Sequence, residues 1–202
     1  MPEFWIPGAV HRPGPANKTG YPWATVRQGA GVVFHTPEGS FGGALQQLDG
    51  PASKSWHGTI DRDGTIYQHY PLDRITWHAG TGANPYYPGF EFVDNGDQSI
   101  TPEQLEAAVK IVEHLRRLDS WASVARDVTL FEHNHFMPTS CPSGYFPWDQ
   151  IINLVGAAPS PAVADVARVL GWVVYTFAEG RRSWDLSPVD EATWRWFSDR
   201  MG

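Results

Sequence analysis

Between residues 101 and 118 the chain reads TPEQLEAAVKIVEHLRRL, and no other stretch limits its possible folds so strongly. Thr101 is a side-chain cap, Pro102 takes the first helical position where its missing N–H costs nothing, and Gln104 completes a capping box. Leu105, Ala108, Val112 and Leu115 recur at helical spacing, so the helix carries one apolar stripe that must be laid on a sheet or another helix.

The sequence around this helix is strand-like. Residues 31–35 (GVVFH) form a short apolar run of the kind found in fully buried strands, with His35 at its exit. Residues 56–70 (WHGTIDRDGTIYQHY) set Asp63 and Gly64 between two β-prone runs, which predicts a hairpin. Residues 75–78 (ITWH) and 89–93 (GFEFV) are further strand candidates, separated by the loop GTGANPYYP, and residues 128–135 return as a strand after the helix. Strands, a long helix and another strand predict an α/β domain with a central mixed β-sheet flanked by helices.

Three segments follow from this reading. Residues 1–30 are dense in Pro and Gly and are expected to form an irregular arm packed on the domain, with Tyr21 and Trp23 as anchors. Residues 31–155 are the main domain. Residues 156–202 begin with the linker-like GAAPSPA and continue as a helical extension, in which Val163, Val166, Leu170, Val173, Val174 and Phe177 share one helical face.

Composition excludes several roles. Net charge is −7 and the basic residues are scattered, whereas a nucleic-acid binder needs a basic stripe to neutralise phosphates. No stretch approaches the roughly 18 apolar residues of a membrane span, and the first residues lack a basic start followed by an apolar run. The expectation is a monomer made in the cytoplasm without a signal peptide. Cys141 is the only cysteine, so its thiol is structural, nucleophilic or a metal ligand, and no intrachain disulfide forms.

Among eight histidines, arrangement has to carry the argument, because a lone imidazole is usually a hydrogen-bonded structural group. Three positions stand out: His35 at a strand exit, His133 in FEHNHF and Cys141 in PTSCPSGYFPW. Two imidazoles and a thiolate leave one position open on a tetrahedral zinc, a sound set for a catalytic Zn²⁺. His133 and His135 lie two apart on the expected strand and share a face, so either could reach a metal.

VVFHTPEG, IDRDGTIYQ, TWHAG, the FEF before TPEQLEAAV, and HNHFMPTSCPSGYFPW occur in order from His35 to Trp148. Together they resemble the type 2 N-acetylmuramoyl-L-alanine amidases, a family that includes phage endolysins, recycling and autolytic amidases, and peptidoglycan recognition proteins. The resemblance implies zinc held by His35, His133 and Cys141, with His135 a neighbour. It matches Glu91 to the general base and His78 to a residue lining the substrate cleft. Two departures concern stabilisation of the oxyanion: Thr139 stands where some members carry a lysine, and Trp56 where some carry a tyrosine. Thr139 offers a hydroxyl without charge and Trp56 an indole N–H.

The implied activity is zinc-dependent cleavage of the amide between N-acetylmuramic acid and L-alanine, by a phage endolysin acting at the cell wall after release. Three other readings stay open: a recognition module that binds peptidoglycan without cutting it, a cytoplasmic enzyme recycling wall fragments, and a hydrolase using Cys141 as nucleophile. Trp148 is expected to be a core anchor, and His57, His69 and His135 hydrogen-bonding groups.

Overall fold

The computed structural model describes residues 4–157 apart from 38 and 143. These fall within one compact unit, Met1–Ala158. Of the linker and helical extension expected over residues 156–202, residues 158–202 lie outside the described residues.

Strands β1 (Val10–His11), β2 (Val32–His35), β3 (Gly58–Ile60), β4 (Ile66–Gln68), β5 (Gly89–Phe92) and β6 (Leu130–Glu132) form one sheet in the order β1-β4-β3-β5-β2-β6. The pair β3/β4 is antiparallel and the other four are parallel, so the sheet is mixed, as the sequence predicts. The antiparallel pair is the expected hairpin. Its loop closes through Gly64 N to Asp61 O (3.0 Å) and Asp61 N to Thr65 O (3.1 Å). Gly64 sits at φ +80°, and a Cβ there would come within 2.6 Å of the Glu103 carbonyl oxygen, so this turn requires glycine twice over.

Helix α1 (Phe41–Asp49) follows β2, α2 (Pro102–Leu118) follows β5, and α3 (Trp148–Ala157) ends the described chain. The capping box of α2 is formed: Gln104 N donates to Thr101 Oγ1 (3.0 Å) and Thr101 N to Gln104 Oε1 (3.1 Å). Gln104 Nε2 also donates to Val93 O at 2.7 Å, which pins the helix start to the end of β5. The buried face of α2 is Ala107, Ala108, Ile111, Val112 and Leu115, while Leu105 is only partly covered.

Alternation along the strands sorts side chains to two faces. Val32, Phe34, Phe90, Phe92 and Leu130 join the α2 stripe and Phe146, Trp148, Ile151 and Val155 in the main core. Trp148 is the core anchor expected of it, stacked on Phe34 at 5.5 Å with its indole N–H on Glu132 Oε1 at 2.6 Å. On the opposite face Val33 and Phe131 pack with Ala79 and Ala83, and α1 contributes Ala44 and Leu48 against Trp56 and Tyr70.

The structure corrects the sequence reading at several places. Residues 75–78 make no strand; Thr76 and Arg74 form isolated bridges to Thr19 and Val26 of the arm. The strand expected over 128–135 is only Leu130–Glu132, because Asp127 turns at φ 60° and His133–His135 wind into a 3₁₀ turn, with Phe136 N on His133 O at 3.0 Å. The arm contains β1, which pairs with β4, and although Tyr21 is half-buried Trp23 is 65% exposed and anchors nothing. Helices α1 and α3 were not foreseen: Gly42 and Gly43 masked the first, although Ser40 caps it by accepting from Gly43 N. Helix α3 runs to Ala157, so residues 156 and 157 are helical where a linker was expected.

Candidate active site

The face of the sheet opposite α2 carries a cleft of about 850 Å³ lined by Thr36, Lys54, Trp56, His78, Glu91, His133, Thr139 and Cys141, among others. Strand alternation explains who arrives there. Val32 and Phe34 turn to the core, so Val33 and His35 turn away from it; Phe90 and Phe92 turn to the core, so Glu91 turns with His35. Parallel pairing then sets His35 and Glu91 side by side in register. Phe34 is in register with Glu132, which brings His133 next to His35, their ring centroids 4.6 Å apart.

Cys141 comes from a loop that is tied down at both ends. Thr36 N donates to its Sγ (3.4 Å), Asn134 N to its carbonyl (3.1 Å), and its own N–H bonds Thr139 Oγ1 (3.2 Å). Its sulfur lies 3.8 Å from His35 Nδ1. Ligand atoms of His35, His133 and Cys141 all fall within 4.8 Å of one another.

The surrounding hydrogen bonds assign the tautomers of two imidazoles. His78 Nε2 is 3.0 Å from the carbonyl of Tyr87, which only accepts, so Nε2 carries the proton and Nδ1 is bare. His78 Nδ1 is 2.9 Å from His35 Nε2, so that nitrogen donates and His35 Nδ1 presents a lone pair toward Cys141. His133 Nε2 is buried with no hydrogen-bond partner. A bare Nδ1, a partnerless Nε2 and a thiol converging on one point fit a divalent cation of borderline softness, and a metal ligand has to be a neutral imidazole or a thiolate. Burial, reinforced by His78 and His133, holds the His35 pKa well below its ordinary value; burial, then the charge of Lys54, lowers that of His133.

Glu91 keeps partial exposure at the cleft floor, yet its Oε2 is buried and partnerless. Burial pushes its carboxyl up to about 8, with Lys54 pulling the other way and Asp94 adding to the rise. Among the described residues Lys54 is the Lys or Arg side chain that lines this cleft.

The four accessory residues singled out from the sequence fall as follows. His78 lines the cleft but is committed to His35 and Tyr87. Thr139 lines it too, its hydroxyl oxygen accepting from Cys141 N. Trp56 reaches the wall, but its indole N–H is bonded to Thr59 Oγ1 at 2.8 Å and the side chain is buried, so the donor expected there is already in use. His135 points elsewhere, toward Asp127 Oδ1 at 3.1 Å.

Sequence reasoning passed over Lys54, Asn84 and Gly89. Asn84 Oδ1 accepts from both His78 N (3.1 Å) and Ala79 N (2.8 Å), which shapes the loop carrying His78. A Cβ at Gly89 would fall 2.5 Å from His78 Cγ, so only glycine lets that imidazole lie against the sheet. A glycine opening a strand was a visible signal of close approach; Lys54, in an exposed loop, gave none.

The family model described as N-acetylmuramoyl-L-alanine amidase (Amidase_2) matches residues 25–144. The chain is 37% identical over 98 residues to the N-acetylmuramoyl-L-alanine amidase XlyA of Bacillus subtilis, covering 47% of this chain and 31% of that protein. It is 59% identical over 32 residues to CwlH of the same organism, covering 16% of this chain and 12% of that one. The matches thus span less than a third of the length of either relative. Its fold is similar to the endolysin amidase LysCS from Clostridium intestinale, with a TM-score of 0.55 at 20% identity, over 75% of this chain and 97% of the other.

Proposed function

The chain belongs to the N-acetylmuramoyl-L-alanine amidase family, and from that membership and the cleft we propose that it hydrolyses the amide joining N-acetylmuramic acid to L-alanine in peptidoglycan. The observation that carries this reading is the convergence of His35, His133 and Cys141, ligand atoms within 4.8 Å, beside the buried carboxyl of Glu91. These three residues would hold zinc. A zinc ion there would lower the pKa of a bound water toward about 7 and polarise the scissile carbonyl.

The remaining work falls to side chains of the cleft. Glu91, in register beside His35 with a buried, partnerless Oε2, accepts the proton of the attacking water and delivers it to the leaving amine. Lys54 supplies positive charge to the same space, where an oxyanion develops, and Thr139 offers a hydroxyl. His78 holds His35 in the tautomer that ligation needs. The polymeric substrate is reached through the open cleft. A role as a phage endolysin that lyses a host wall from within extends this reading, and rests on the resemblance of the motifs between His35 and Trp148 to a family that includes such enzymes. Among the described residues no helix is long and apolar enough to cross a membrane.

A cysteine-nucleophile mechanism draws on the 3.8 Å separation of Cys141 Sγ from His35 Nδ1. It leaves the buried, partnerless Nε2 of His133 without a purpose, and zinc ligation does not. The test is to digest purified peptidoglycan with and without chelator and identify the new chain ends. A free muramic lactyl group and a new L-alanine amine, lost in chelator and restored by Zn²⁺, are expected. Activity that survives chelation but not thiol alkylation would instead establish the nucleophile. Binding without new ends would establish a recognition module.

A further inference from the structure

Before entering β2 the arm makes a tight reversal beside the cleft. Tyr21 N donates to Ala24 O (2.6 Å) and Ala24 N to Tyr21 O (3.2 Å), leaving Pro22 and Trp23 at the tip. Three further bonds hold this turn in place: Gly20 N to Ile75 O (2.9 Å), Trp77 Nε1 to Gly20 O (2.8 Å), and Asn84 Nδ2 to Tyr21 OH (2.7 Å). Asn84 also shapes the loop of His78, so the turn and the candidate catalytic centre share one support.

On this base the rings of Tyr21 and Trp23 stack with centroids 5.0 Å apart and planes 8° from parallel, and Trp77 stands against Tyr21 at 6.5 Å. Tyr21 and Trp77 line the cleft itself. Trp23 continues the row outward with 65% of its surface exposed. Tyr21 covers one face of that indole, so the open area is the other face. Scattered exposed aromatics are ordinary on a protein surface; a bonded turn that displays one in a row of three leading into a cleft is not.

We propose that Tyr21, Trp23 and Trp77 form a saccharide shelf, which stacks a neutral N-acetylated pyranose of the glycan strand next to the scissile amide. The flat outer face of Trp23 fits the C–H face of a sugar ring, and Tyr21 and Trp77 carry the row of rings into the cleft. Tyr21, Trp23, Trp77 and Asn84 carry no charge, which favours a neutral sugar over an ionised stem peptide. Charge enters the cleft at Lys54 and Glu91 instead. The shelf rests on the amidase reading for the identity of the polymer. Tyr21 and Trp23 precede residue 25, where the family match begins, so two of the three rings come from a part of this chain that the family model does not describe, while Trp77 lies within it.

The test uses chitotetraose, which presents N-acetylated sugars and no lactyl amide. Titrated into the full chain, it should give a saturable change in tryptophan fluorescence. Trp23→Ala should weaken binding by about tenfold, Trp23→Phe should keep most of it, and Tyr86→Ala, an exposed ring outside the cleft, should bind like the parent. Thermal unfolding of each variant checks that the turn has not cost the fold. Equal binding by Trp23→Ala and the parent, or no binding by the parent, overturns the shelf. So does loss at Trp23→Ala of binding to an L-alanyl-D-glutamate peptide while chitotetraose stays silent. Peptidoglycan hydrolysis measured alongside separates the two ideas. Hydrolysis without saccharide binding removes the shelf alone, and saccharide binding without hydrolysis removes the amidase alone.

Discussion

The Nδ1 atom of His78 lies 2.9 Å from the Nε2 atom of His35, and the far nitrogen of His78 is fixed on the carbonyl of Tyr87 at 3.0 Å. Each nitrogen of these two imidazoles has one role, and the last of them is a lone pair on His35 Nδ1 facing Cys141. His78→Ala frees His35 to adopt the other tautomer, which puts a proton where a metal would bind. Zinc affinity is expected to fall by about ten- to a hundredfold while the fold is kept. Competition with a chromogenic chelator measures the affinity, and ¹H–¹⁵N correlation of the imidazoles in the metal-free chain should show Nε2–H on His35 in the parent and a mixture in the variant. Unchanged affinity together with an unchanged tautomer would remove the relay.

His133 and His135 are separated by the 3₁₀ turn. His133 Nε2 is buried and partnerless at the cleft, and His135 is engaged with Asp127 outside it. His35→Ala and His133→Ala should each lower metal retention by more than about a hundredfold, beyond the effect of losing an outer support. His135→Ala should retain metal like the parent, as measured by metal content per chain after dialysis. Equal retention in all three variants contradicts this ligand set.

The contrast between those two histidines shows where the sequence was legible and where it was not. The runs VVFH and GFEF were legible as strands with His35 at an exit, but that His35 and Glu91 share a face follows from the parallel register of β2 and β5; the capping box at Thr101 fixed the start of α2 to the residue. Period-two alternation, carried past Glu132, put His133 and His135 on a shared face that does not exist. Asp127 at φ 60° and the wound turn at 133–135 depend on tertiary contacts, among them Asn134 N with the Cys141 carbonyl. Trp56 failed for a related reason: its N–H is consumed by Thr59, three residues further along on β3, and no spacing rule reports that. Lys54 was illegible because a lone exposed lysine in a loop acquires meaning only when the loop is seen to border the cleft.

Glu91 bears the assignment that chemistry depends on most. Replacement by Gln keeps shape and removes the proton acceptor, so turnover should drop by about 10²- to 10⁴-fold with metal content unchanged. In the metal-free chain, ¹³C titration of the carboxyl should show protonation persisting to about 8, because burial disfavours the charged form. Full turnover in Glu91→Gln would take this residue out of the mechanism.

Acid should destabilise the metal-free fold below the ordinary histidine range, and His69 lets the sign be worked through. Its Nδ1–H donates to Arg12 O (2.7 Å), and its Nε2 accepts from Thr59 Oγ1 (2.9 Å), whose oxygen in turn accepts from Trp56. Protonating Nε2 would aim a second donor at a hydroxyl that is already engaged. Burial is the main cause that lowers the His69 pKa from 6.5 to about 4, with the Arg12 carbonyl opposing. The unfolded chain therefore binds the proton more readily between those values. Stability is whole above about 6.5 and is lost as pH falls toward 4, by about 3 kcal/mol for this group. Glu91 works in the opposite sense, since its raised pKa costs stability as pH rises from 4.5 toward 8. His35, His57, His78 and His133 are all lowered and add to His69, so the net slope between pH 4.5 and 6.5 is positive. Urea unfolding of the metal-free chain at half-unit steps of pH should show stability climbing over that window. His69→Gln should be less stable at pH 7 yet show a shallower climb; an equal slope in the variant would mean that His69 is not among the groups that acid charges.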